Sequence, residues 1–197
     1  MKTLFKILTL SSIVFSGSVF SNENIEQKDI RFGFNVAIAV GGDTMFSVPF
    51  EDGSSEDMNA GDGFILGLAI EKKWDTDTSL PFYTEASFNY MFNSIDAENG
   101  SIEFNRYPLD FVASTKYNNI SVGAGITHHL SPTLKGDGIA SFPDINYDDA
   151  TGSILQVSYT TTNKIIWGLK YTNITYTGAN LFDQDGSSFA LTMAGRF

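Results

Sequence analysis

From residue 31 onward the chain alternates large apolar positions with small or polar ones, in eight stretches separated by polar connections. In 31–41, Phe32, Phe34, Val36, Ile38 and Val40 share one face, opposite Gly33, Asn35, Ala37 and Ala39. In 64–74, Phe64, Leu66, Leu68 and Ile70 oppose Gly67, Ala69, Glu71 and Lys73. The same pattern recurs in 82–92, 103–117, 120–130, 153–161, 164–176 and 188–197. A period of two predicts strands, because a helix repeats every 3.6 residues. Most of the stretches are close to the roughly 9–11 residues that a tilted strand needs to cross the apolar layer of a membrane.

Side-chain size then decides which face is inside. The polar face is crowded with Gly, Ala and Ser plus a few charges, whereas the other carries the aromatic and aliphatic side chains. A closed barrel of about eight strands has little internal volume, so small residues and paired charges suit its lumen. Bulky apolar groups suit a lipid-facing wall. The connections agree: 42–63, 93–102, 131–152 and 177–187 are long, whereas 75–81, 118–119 and 162–163 are short. Strict alternation of long and short connections is the habit of outer-membrane barrels, with short turns in the periplasm and long loops outside. The expected fold is an all-β, eight-stranded, antiparallel up-and-down transmembrane β-barrel with both termini periplasmic.

The first 21 residues differ from the rest. Lys2 and Lys6 precede an apolar run, and Val19 and Ser21 stand before the polar Asn22-Glu23-Asn24. This is the layout of a secretory signal peptide, leaving 22–197 as the barrel domain. The absence of cysteine suits a bacterial envelope protein whose strand ladder needs no disulfides. Removing 1–21 takes away two lysines and no acids, so the formal charge moves from −11 to −13. That balance argues against nucleic acid as a partner. No cofactor motif occurs.

The chain ends in Phe197, with Met193 and Leu191 alternating before it. In FALTMAGRF the sequence resembles the small outer-membrane β-barrel superfamily, of OmpX-, OmpA- and OmpW-like size. The resemblance implies an outer-membrane location in a Gram-negative bacterium, lipid as surroundings, and recognition of Leu191, Met193 and Phe197 by the barrel assembly machinery.

Four groups of residues could carry chemistry. Arg31, Glu71, Lys73, Glu85, Arg106, Asp110, Lys116, Lys170 and Arg196 fall on the inward face. They predict either a salt-bridge network that plugs the lumen or the lining of a narrow, porin-like channel for small solutes or ions. The small bore favours the network. His128 and His129 end the fifth stretch, and His129 and Ser131 share a side at i, i+2. Such a pair resembles the outer-membrane lipid A deacylases, whose motif is His-x-Ser-Asn with an acidic orienting residue. Here Pro132 stands in place of the Asn, and Asp137 or Asp144 would have to orient the histidine, so no catalytic residue is assigned.

The long loops hold 14 of the 23 acids, with Lys135 as their only cation. They read as a solvated, mobile surface, with divalent cations as candidate partners. Aromatic residues lie toward both ends of the wall, with Trp74, Phe82, Tyr117, Tyr159 and Phe197 at the end carrying the termini. Pro108 lacks a ladder donor and predicts a bulge or local break. The leading expectation is a non-enzymatic structural or surface-interaction barrel with a plugged lumen; a narrow channel and a lipid-modifying enzyme are the alternatives.

Overall fold

In a computed structural model, the described residues are 29–49, 53–74, 80–97, 100–138, 141–178 and 182–197. The expected signal peptide lies outside them. The strands are β1 (Ile30–Val40), β2 (Thr44–Pro49), β3 (Ser55–Asn59), β4 (Gly63–Trp74), β5 (Phe82–Ala97), β6 (Gly100–Tyr117) and β7 (Ile120–Gly138). They continue with β8 (Phe142–Asn146), β9 (Ala150–Thr160), β10 (Ile165–Asn173), β11 (Thr175–Tyr176), β12 (Gln184–Asp185) and β13 (Ser188–Arg196).

Eight of them form a closed antiparallel barrel in the order β1-β4-β5-β6-β7-β9-β10-β13. Closure comes from β1, which pairs with β4 on one side and β13 on the other. Inward and outward residues fall as side-chain size predicts. Ala37, Ala39, Ala69, Ala190 and Ala194 are buried, whereas Phe32, Ile38, Leu68, Phe88, Leu155, Leu169 and Phe189 stand exposed on the wall. Exposed apolar side chains occupying this whole wall suit a hydrocarbon solvent, since a monomer in water seldom carries so large a patch. Aromatic pairs tie neighbouring strands on the same wall, such as Tyr171 and Phe189 with ring centroids 4.8 Å apart.

Beyond the barrel, the long connections contain structure that alternation did not predict. β2 and β3 form a hairpin, β8 adds to β7, and β11 pairs with β12. β5 and β6 extend past the wall until Ala97 pairs with Gly100. Here the inside becomes apolar. Ile102 and Phe104 share the inward face of Arg106 and are fully buried. At this end apolar groups turn in rather than out, the arrangement that surrounding water favours.

A bulge makes that reversal possible on β7. Between Asn105 and Tyr107 the pairing of β6 with β7 shifts, so that Ser131 and Pro132 together lie opposite Arg106. Ser131 takes a left-handed backbone with φ 49°. The extra residue turns Pro132 and Leu134 inward and leaves Ser131 exposed. The break expected at Pro108 has a related form. The β5–β6 ladder lacks partners for Asn89 and Tyr90, the stretch facing Tyr107 and Pro108, and resumes at Met91 and Arg106 in the same register. The shift of register falls instead on the β7 side, two residues from the proline.

Candidate functional site

The lumen is layered. Nearest the termini, Arg31 pairs with Glu71 and Arg196 with Glu85. Glu71 and Glu85 are direct cross-strand partners, so two carboxylates face each other and each is held by its own arginine. Arg196 also donates from Nη2 to Asn35 Oδ1 at 2.9 Å and from Nη1 to the Phe34 carbonyl at 3.1 Å. Lys116 Nζ donates to Thr160 Oγ1 at 3.0 Å. Lys73 lies near the same end, partly buried.

The middle layer centres on Asp110. Its carboxylate accepts from Lys170 Nζ at 3.1 Å, Thr127 Oγ1 at 2.5 Å and Asn89 Nδ2 at 3.2 Å. Arg106, which shares a strand face with Asp110, is not its partner. These two layers bound a cavity of about 650 Å³ that runs from Phe197 and Lys164 at the rim inward to Asn89 and Ala37.

Above the cavity the lumen is packed. Ala37, Ala39, Ile65, Met91 and Ala190 form one buried cluster. Over it lies a second, larger cluster that includes Met58, Ile95, Ile102, Phe104, Leu134, Tyr147, Ile174 and Tyr176. Residues of the β2–β3 hairpin, of β5 to β7 and of β11 thus converge into a cap. Phe104 meets Tyr176 edge-on at 5.6 Å and Tyr147 edge-on at 6.0 Å.

Arg106 sits under this cap with no exposed surface. Its Nη2 donates to the Asp62 carbonyl at 2.7 Å, while Nε and Nη1 have no hydrogen-bond partner among the described residues. Its guanidinium carbon lies 4.3 Å from the Phe104 ring centroid and 5.9 Å from that of Tyr176. The cation is therefore held chiefly by aromatic faces and one carbonyl, a costly arrangement for a buried charge.

His129 and Ser131 do not share a side of β7. His129 is buried, and its Nδ1 is bonded to the Tyr176 hydroxyl at 2.7 Å. Ser131 is exposed, and its backbone N–H donates to Asp149 Oδ1 at 2.8 Å. The bulge breaks the i, i+2 relation that would have placed both side chains on one side. Neither expected orienting acid serves His129. Asp144 pairs with Lys135 at 3.3 Å, and Asp137 accepts from the Gly138 N–H at 2.7 Å. His128 contacts Thr151 Oγ1 at 2.8 Å.

Several loop acids accept hydrogen bonds that tie one loop segment to another, whereas Glu51, Asp52 and Glu98 lie outside the described residues. Asp62 accepts from the Gly41 N–H at 2.8 Å and from Asn59 Nδ2 at 3.0 Å. Asp43 accepts from the Asp185 N–H at 2.9 Å. Ser187 hydrogen-bonds Asp185 and holds its carboxyl below the usual aspartate range. Burial pushes the Tyr147 hydroxyl up. Gly42, with φ 83°, lets these segments approach: a Cβ there would lie 2.5 Å from the Asp185 carbonyl oxygen. Among the described residues, no three His, Cys, Asp or Glu side chains are placed to hold a metal ion.

The fold is that of the small outer-membrane β-barrels. Among solved structures, the attachment invasion locus protein Ail of Yersinia pestis aligns over 85% of this chain and 96% of its own, at 12% identity and TM-score 0.51. The same protein in complex with the heparin analogue sucrose octasulfate aligns over the same shares at 14% identity and TM-score 0.50. The outer-membrane enzyme PagL aligns over 82% of this chain and 98% of its own, at 16% identity and TM-score 0.36. No family model matches the chain, and no curated protein matches it in sequence.

Proposed function

We propose that this chain is a surface protein of the bacterial outer membrane: a closed, non-conducting barrel that presents an acidic cap to the exterior and performs no catalysis. Its termini face the periplasm, and Leu191, Met193 and Phe197 engage the assembly machinery during insertion. The observation that carries this reading is the packed cap. Met58, Ile102, Phe104 and Tyr176 are fully buried directly over the lumen. A polar cavity that ends beneath four such side chains favours a plug over a solute path. The paired charges at Glu71, Glu85 and Asp110 then serve to hold strands together across a narrow lumen.

The partner class follows from charge. Ail was solved with a polyanionic heparin analogue. The long loops of this chain carry 14 acids against Lys135 alone, and that cation is itself paired with Asp144. A sulfated polymer is repelled by such a surface, whereas a cationic protein segment is attracted. Divalent ions that bridge single exposed carboxylates to anionic headgroups belong to the same reading.

The test uses the full barrel folded in detergent micelles, over immobilised polylysine and immobilised heparin. Retention on polylysine that is lost with rising salt, together with no retention on heparin, is expected. Binding to heparin at physiological salt refutes the acidic-cap reading.

A further inference from the structure

We propose that the outer wall of the barrel carries a binding groove for one anionic phospholipid, with its headgroup at Lys72 and its acyl chain in a channel across β4 to β7. The site rests on the membrane placement proposed for this chain and adds to it a ligand class and a fixed position.

The groove has a volume of about 480 Å³ and an almost wholly apolar lining. Cross-strand register shows how it forms. Lys72 pairs with Thr84, Thr84 with Ala113, and Ala113 with Ala124. The adjacent outward row runs from Ile70 through Ala86 and Phe111 to Ile126. Small side chains at 84, 113 and 124 make a floor, and Ile70, Phe111 and Ile126 stand beside it as walls.

The row climbs as it crosses the strands. Lys72 is two residues from the end of β4, whereas Ala124 is four residues from the start of β7. One end of the groove therefore lies at the rim that carries the termini, and the other is set deeper in the wall. That is the polarity a phospholipid needs, with its head at the interface and its chain in the hydrocarbon.

The rim end is built for a headgroup. Lys72 is the one basic residue that faces outward among the described residues of the barrel strands at this end; Arg31, Lys73, Lys116 and Arg196 take the opposite, inward parity. Lys72 Nζ lies 3.8 Å from the Trp74 ring centroid. Trp74 Nε1 in turn donates to Thr84 Oγ1 at 2.9 Å. The indole fixes the ammonium over the mouth of the groove, and among the described residues no carboxylate forms an ion pair with it. A phosphate with net negative charge is the group that an interfacial ammonium selects.

The experiment reconstitutes the full-length mature barrel into nanodiscs of phosphatidylcholine with a minor share of phosphatidylglycerol. After extraction, retained lipid is counted by native mass spectrometry. Folding is checked in every sample by heat-modifiable migration. The expected result is one retained lipid per barrel, with phosphatidylglycerol enriched about fivefold over its bulk share, the preference one lysine gives near an anionic surface. Lys72→Gln is expected to retain one lipid without headgroup preference. Ala113→Phe, which fills the floor from the outside, is expected to retain none while still migrating as a folded barrel.

Equal retention of both headgroups by the wild type, or an unchanged preference in Lys72→Gln, overturns the site while the membrane reading stands. A second copy of the chain found in the groove by cross-linking from position 113 overturns it as well. A chain that never inserts and shows no heat-modifiable form overturns the membrane reading, and the site with it.

Discussion

Replacing Phe104 by alanine removes the side chain on which the cap is built. Phe104 has no exposed surface, meets two tyrosine rings edge-on, and stands over the Arg106 guanidinium at 4.3 Å. Emptying a buried phenylalanine site costs about 3–5 kcal/mol. Each edge-on aromatic contact adds roughly 0.5–1.5 kcal/mol to simple burial, which lifts this site above the lower end of that range, to about 4 kcal/mol. The loss also strips Arg106 of its nearest aromatic face, so relaxation into the cavity is limited by a cation that needs a polar partner.

The assay is equilibrium urea unfolding of the barrel in phospholipid vesicles, followed by the fluorescence of Trp74 and Trp167. Both indoles lie on the outer wall, so they report departure from lipid. With a slope of about 2 kcal/mol per molar urea, the midpoint is expected to fall by about 2 M. Phe182→Ala is the control, since Phe182 is 90% exposed and its removal is expected to leave the midpoint unchanged. A Phe104→Ala barrel within about 1 kcal/mol of wild type would refute the packed cap.

Four further outcomes follow from the same geometry. Arg106→Met is expected to be neutral or stabilising by about 1–3 kcal/mol in the same assay, because it removes a buried charge with two unpaired N–H groups at similar volume; a clear loss of stability would show that its contacts with Asp62, Phe104 and Tyr176 outweigh the cost of burying the charge. Glu85→Ala leaves Arg196 buried beside the like-charged lumen end, so a cost of about 3 kcal/mol is expected, and no change in midpoint would count against the pairing. The Asp185 carboxyl, held low by Ser187, contributes its tie above the ordinary aspartate range and loses it only as pH falls through its depressed value; the Ser187 amide shift followed by NMR is expected to titrate below that range, and a midpoint at the ordinary value contradicts the tie. His129→Ala is expected to leave the acyl pattern of lipid A unchanged by mass spectrometry, and an altered pattern would restore the enzyme reading.

The wall of the barrel was legible because one physical rule governs it from end to end. Between Phe32 and Val40, or between Leu155 and Tyr159, every second residue faces out from the barrel wall, and period two with a size difference between faces encodes that directly. The end facing water was not legible, because the rule reverses there. Ile102 and Phe104 have the parity of Arg106 and Asp110, so a reading that treats apolar as outward has no place for them. Ser131 adds a change of phase that alternation cannot register, and it separates His129 from the serine that spacing had paired with it. The signal for that bulge is slight: two consecutive polar-to-turn residues, Ser131 and Pro132, after the paired histidines. The lumen charges were identifiable as a set by parity, but their partners were not, since pairing across the lumen depends on register between strands distant in sequence. Asp110 and Lys170 lie 60 residues apart.

The central claim is that the lumen ends blindly under the cap, and single-channel recording in planar bilayers tests it most directly. Purified wild-type barrel, shown to be inserted by its heat-modifiable form, is predicted to give no discrete conductance steps above leak across the accessible voltage range. Unitary openings of fixed amplitude in the wild type would contradict the account, because they require a continuous water path where Phe104, Ile102, Met58 and Tyr176 are packed.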